Sequence, residues 1–185
     1  MIGLVVAILG LAGEVVKDIC REAQSVGVVA AANFNSPGQV VISGEKAAVE
    51  RAIELAKVQG CRRAVPLPVS VPVHSSLMQP AADRLAPHVH AVSLSDLTVP
   101  LFNNVEARPL VHAEEVRHSL ICQLPSSVLW EHTIRAMWEN GIRTFIEIGP
   151  GTVLTRLATR IVPEAELHHI QDPESLEETL TTIRH

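Results

Sequence analysis

Apolar runs and helical periodicities alternate over the first 70 or so residues in an order that few folds can use. "LVVAIL" (4–9) is a short unbroken apolar run, the signature of a buried strand. Residues 12–25 place Val15, Val16, Ile19 and Ala23 on one helical face. "VGVVAAANF" and "QVVISG" follow as two strands, parted by "NSPG", whose composition is that of a turn. In "EKAAVERAIELAKVQG", Val49, Ala52, Ile53 and Ala56 line one side of a helix and Gly60 stops it. "RRAVPLPV" completes the set as a strand. The order β-α-β-β-α-β is the split βαβ arrangement of a ferredoxin-like unit, so a ferredoxin-like small subdomain is predicted over residues 1–68.

Beyond a seam near Pro66 to Pro72 the pattern changes. The sequence predicts a helix over 75–87, a buried strand in "TVPLFNNV", and a helix over 112–123. "SSVLWEHTIRAMWENG" reads as a further helix with Ser126 or Ser127 as N-cap and Val128, Ile134, Met137 and Trp138 available to the core. "RTFIEIG" is a strand, and "PGTVLTRLATRIV" is a helix entered through a Gly-Pro-Gly turn. Helices alternating with single apolar strands indicate an α/β layer with parallel pairing, predicted to occupy residues 69–185.

Charge and composition narrow the partners. A formal net charge of −5 gives no reason to expect nucleic acid or an anionic membrane surface. Aromatic residues are 3% of the chain and tyrosine is absent, which argues against stacking on bases or sugars. The three cysteines, Cys20, Cys61 and Cys122, are far apart and form no C-x-x-C, as expected of reduced thiols in a cytoplasmic protein. The opening "MIGLVVAILGLAG" has no basic flank and is too short to span a bilayer, so it is expected to be a buried strand.

The stretch "LPVSVPVHSSLM" (67–78) delivers His74 from a proline-rich extended run into a helix start, the edge of an α/β sheet where ligands bind. A histidine fixed there suits general-base work, although a packed structural histidine fits the position equally. A base needs a nucleophile, and no G-x-S-x-G elbow occurs in the chain. Ser75 and Ser76 are expected to cap the following helix, and Cys61, beside Arg62 and Arg63, is expected to be an inert strand residue. His88 and His90, His112 and His118, and His168 and His169 lack the spacing and partners of a zinc site. "EIGPGTVL" matches neither phosphate-loop pattern and reads as a tight strand-helix turn.

Taken together, "NFNSPGQVVISG", "RRAVPLPVSVPVHSSLMQPAADRL", "VPLFNNV" and "FIEIGPGTVLTRL" resemble the malonyl-CoA:acyl carrier protein transacylases of fatty-acid synthesis, from about residue 3 to about residue 162. The resemblance implies an α/β fold: an α/β-hydrolase-like acyltransferase domain, here its C-terminal part, with an inserted ferredoxin-like subdomain. It implies a serine that takes malonyl from malonyl-CoA and passes it to the phosphopantetheine thiol of acyl carrier protein, with no cofactor. The activating histidine of that family corresponds to His74. The backbone carbonyl that orients it is expected from Leu129, before Trp130 in "SSVLW". Asn33 and Asn35 match asparagines of a loop facing the coenzyme A arm. Arg62 and Arg63 match a basic pair that receives the carrier protein or the coenzyme's phosphates. Val73 stands where the family often has serine.

The family's serine elbow, its oxyanion loop and its carboxylate-binding arginine have no counterpart in this chain, which begins at the first strand of the inserted subdomain. Without them the covalent step is lost. The chain alone is therefore expected to be inactive. The alternatives are a non-catalytic module that binds carrier protein, and a small hydrolase using Ser75 or Cys61.

Overall fold

A central strand buried on both faces organises the first part of the molecule. In the computed structural model, which describes residues 3–69 and 71–183, β1 (Gly3–Leu9) has Val5, Val6, Ala7 and Ile8 buried in succession. It lies between β3 (Gln39–Glu45) and β4 (Arg63–Pro66), and β2 (Val29–Ser36) pairs with the far side of β3. All three pairings are antiparallel. α1 (Gly13–Ala23) and α2 (Lys46–Val58) cover the face carrying Val6 and Ile8, through Val16, Ile19, Ala23, Val49, Ala52 and Ala56. Val5 and Ala7 pack on the other face with Val41, Val65 and Leu67. The strand order β2-β3-β1-β4 is the ferredoxin-like arrangement the sequence predicted. Met1, Ile2 and Ser70 of the predicted opening strand and extended run lie outside the described residues.

The chain divides into two compact units, 1–133 and 134–185. In the first, the sheet is followed by a 3₁₀ turn (Ser76–Met78), α3 (Gln79–Ala91), β5 (Leu101–Phe102), β6 (Pro109–Leu110) and α4 (Ala113–Cys122). The buried Arg117 of α4 donates to the carbonyls of Val89 and Val92, tying α4 to the end of α3. α5 (Trp130–Glu139) begins in this unit.

Three local expectations are corrected. "TVPLFNNV" is not a buried strand: only Leu101 and Phe102 are extended, Leu101 is 46% exposed, and the pair forms an antiparallel hairpin with β6. The Asn103 side chain ends it by accepting from the backbone N–H groups of Glu106 and Arg108, which closes a turn. Neither Ser126 nor Ser127 caps α5, which starts at Trp130. The Ser127 hydroxyl donates to the Ala31 carbonyl, and Val128 bridges to Asn33 in parallel, so the free edge of β2 claims these residues. Ser75 makes no capping bond either; its hydroxyl turns back to the Pro72 carbonyl.

The second unit contains β7 (Thr144–Ile148), α6 (Val153–Ile161), β8 (Glu166–Ile170) and α7 (Pro173–Ile183). β7 and β8 are parallel with α6 as the crossover, the pairing expected of a βαβ unit. Leu157, Ala158, Ile161 and Val162 are its buried apolar residues from α6 onward. No helix among the described residues is long and apolar enough to cross a membrane.

Candidate active site around His74

His74 sits in a turn pinned from two sides. Below it, Pro72 presses on the backbone of β1 so closely that a Cβ on Gly3 would lie 2.7 Å from the Pro72 Cδ. Above it, the His74 N–H donates to the Leu124 carbonyl at 3.1 Å. His74 takes φ 58°, a left-handed conformation unusual outside glycine and found where surrounding structure over-determines it.

The imidazole Nδ1 lies 3.0 Å from the Ser126 carbonyl oxygen and 3.2 Å from that of Gln123. Carbonyls only accept, so Nδ1 carries the hydrogen and donates, which leaves Nε2 with its lone pair. Gln123 is the C-cap of α4, one of the helix-end positions whose carbonyl has no intrahelical partner. That free carbonyl is one of the two the ring uses.

The expected orienting group, the Leu129 carbonyl, is elsewhere engaged. It accepts from the Thr133 N–H at 2.8 Å and the Thr133 hydroxyl at 2.9 Å, as the first turn of α5 winds up. The Leu129 N–H donates to the Asn104 carbonyl. The residue count back from Trp130 points to a different carbonyl from the one the ring meets, because Ser127 and Val128 are held on the edge of β2 and Ser126, just before them, lies at the ring.

Asn33 and Asn35 are half-buried on β2, either side of the buried Phe34. Asn33 bridges to Val128, two residues past Ser126, which links it through a short stretch of chain to the His74 ring. Arg62 and Arg63 are exposed and make no ion pair among the described residues. They are not gathered at His74. The Arg62 N–H donates to the Leu9 carbonyl and Arg63 pairs with Leu9, at the end of β1 opposite Gly3 and Pro72. Six residue steps separate those ends, roughly 20 Å.

The other candidates are held in bonds of their own. Ser75 is 1% exposed, and its hydroxyl donates to the Pro72 carbonyl. Cys61 sets its thiol against the Arg63 and Leu9 carbonyls, and burial pushes the Cys20 thiol up to about 12. In "EIGPGTVL" two N–H groups of the first turn of α6 are already taken. Glu147 accepts from the N–H groups of Leu154 and Thr155 and from the Thr155 hydroxyl. Burial alone would raise the Glu147 carboxyl, but those hydrogen bonds outweigh it and hold it below the usual range.

Residues 8–175 match the acyl transferase domain family, and the chain belongs to that family. Within it, the chain is similar to the malonyl CoA-acyl carrier protein transacylases. It is 43% identical to that of Haemophilus influenzae over 94% of this chain and 55% of the relative. It is 40% identical to that of Bacillus subtilis over 98% of this chain and 58% of the relative. Among solved structures, an acyl carrier protein S-malonyltransferase from Vibrio cholerae superposes with a TM-score of 0.93 at 44% identity, over 96% of this chain and 58% of that one. A malonyl-transacylase solved in complex with its type II polyketide acyl-carrier protein superposes with a TM-score of 0.94 at 42% identity, over 98% of this chain and 59% of its own. The chain thus spans a little over half the length of these relatives.

Proposed function

We propose that this chain is the histidine-bearing part of a malonyltransferase that moves malonyl from malonyl-CoA to the phosphopantetheine thiol of acyl carrier protein. The observation that carries the reading is the His74 ring, held by two backbone carbonyls with Nε2 left as a base. In this reading Nε2 takes the proton of a serine hydroxyl, and later of the incoming thiol, while the Gln123 and Ser126 carbonyl dipoles steady the imidazolium. A carboxylate is not needed for that, since the carbonyls already fix the tautomer.

Asn33 and Asn35 are proposed to contact the coenzyme A arm. Arg62 and Arg63 are proposed to receive the acidic carrier protein or the coenzyme's phosphates. Their place at the far end of β1 suits an elongated substrate that reaches from a charged docking point to the base. The division into a small subdomain over 1–68 and a part of the larger acyltransferase domain over 69–185 is proposed with it. The chain contains no G-x-S-x-G serine, so a second segment must supply the nucleophile.

The test is a chimera in which this chain replaces the matching 173 residues of the Haemophilus influenzae relative. The chimera should transfer labelled malonyl from malonyl-CoA to carrier protein, and the 185-residue chain alone should not. Labelled malonyl bound covalently to the chain alone, on any residue, would overturn the reading. A chain that binds carrier protein through Arg62 and Arg63 yet gives an inactive chimera would instead favour a docking module.

A further inference from the structure

His74 holds a backbone conformation that L-residues avoid, and the contacts that hold it differ in origin. Its N–H bond to Leu124 is main chain to main chain, and its Nδ1 contacts run to main-chain carbonyls. One further contact comes from a neighbouring side chain. The Ser75 hydroxyl donates to the Pro72 carbonyl at 2.6 Å, three residues back, and so straps the turn that contains Val73 and His74. Ser75 is 1% exposed, and its hydroxyl is not spent on capping the 3₁₀ turn that follows. Pro72, the other end of the strap, cannot move toward the sheet because it already abuts Gly3.

We propose that Ser75 is a positioning residue for His74: its hydroxyl latches the left-handed turn, which keeps Nδ1 on the Gln123 and Ser126 carbonyls and Nε2 directed outward as the base. The inference rests on His74 serving as the base in the function proposed above. Ser75 itself touches no reacting atom. Without the latch, residues 72–75 are free to relax His74 toward negative φ, and the ring then loses its two carbonyls together. A buried hydroxyl bonded to a carbonyl three residues back is also the smallest group that can do this, which gives serine a reason to follow the histidine.

Long-range ¹H–¹⁵N NMR of the histidine side chains in the 185-residue chain tests the latch. At alkaline pH, where the ring is neutral, wild type should show His74 held in the Nδ1–H tautomer. Ser75→Ala should lower the ratio of that tautomer to the Nε2–H form by about three- to tenfold, the worth of one internal hydrogen bond. Ser75→Thr, which keeps the hydroxyl, should restore the ratio. Ser75→Cys, close in size but a weak donor, should fall between, and it takes the place of Ser75→Ala if that variant does not fold. An unchanged tautomer ratio in the folded Ser75→Ala chain, or in Ser75→Cys where alanine does not fold, overturns the proposal. The readout needs no substrate. A chimera that fails to transfer malonyl would sink the proposed function without touching this result.

Discussion

At the scale of single residues, the acceptors of the His74 ring are atoms that no side-chain substitution removes. The carbonyls of Gln123 and Ser126 belong to the backbone, so any residue there that keeps the chain's path keeps the acceptors. In an active chimera, Gln123→Ala and Leu129→Ala are each expected to change malonyl transfer by less than about tenfold, which is under about 1.4 kcal/mol of barrier. Steady-state transfer to carrier protein measures it. A loss beyond a hundredfold in Gln123→Ala would mean that the side chain, rather than the carbonyl, does the orienting. The same fact explains what the sequence did and did not disclose here. His74 was legible because prolines, an extended run and a helix start converge on one imidazole. Its partners were not, because a carbonyl has no letter of its own. The signal available was weak: α4 ends just before Gln123, and helix ends leave carbonyls free.

At the scale of elements, close packing and helix capping set the sharpest expectations. A Cβ on Gly44 would stand 2.1 Å from the Val28 carbonyl oxygen, inside the β2–β3 pairing. Gly44→Ala should destabilise the four-stranded sheet by about 1–3 kcal/mol, read as a lower denaturant midpoint. Gly60→Ala meets nothing within 4 Å and is strained only by its φ of +83°, so it should cost about 1–2 kcal/mol. Equal stability of Gly44→Ala and wild type would contradict the packing.

Of the three carboxyls held below their usual range among the described residues of the second unit, Glu147, Glu166 and Asp172, two sit at helix N-termini. Glu147 is lowered as described above, and Asp172 is lowered first by the Ser175 N–H it caps, at 2.9 Å. A carboxyl whose folded pKa lies below its unfolded value stabilises at pH above the unfolded value. That contribution is lost as pH falls through the folded one. α6 and α7 should therefore loosen as pH falls below about 4, and hydrogen exchange of their first turns should show it. Glu147→Gln and Asp172→Asn should each flatten that dependence. The βαββαβ order was readable since each strand and helix there repeats its period cleanly. Residues 126–129 were misread as helix because Ser127 and Val128 answer to the edge of β2, a long-range partner that local periodicity does not contain.

At the scale of the whole molecule, the ferredoxin-like sheet is covered on both faces, whereas the second unit leaves apolar surface bare. Ile146, Ile148, Val153 and Leu154 are 38%, 79%, 67% and 41% exposed. The chain alone is expected to bind a hydrophobic dye, and residues 75–162 are expected to exchange amide hydrogens faster than residues 3–67. Dye binding should fall in the chimera. No dye binding by the isolated chain, together with uniform exchange, would show that this surface is protected.

The most direct test of the central claim, that His74 is the base of a malonyltransferase, is transfer of labelled malonyl to carrier protein by the chimera with His74→Ala. Coenzyme A binding is measured beside it. Removing the imidazole leaves the proposed coenzyme A contacts, Asn33, Asn35, Arg62 and Arg63, in place. Transfer is therefore predicted to fall by a factor of about 10² to 10⁴ while coenzyme A affinity changes little. Near-normal turnover in the His74→Ala chimera would contradict the account.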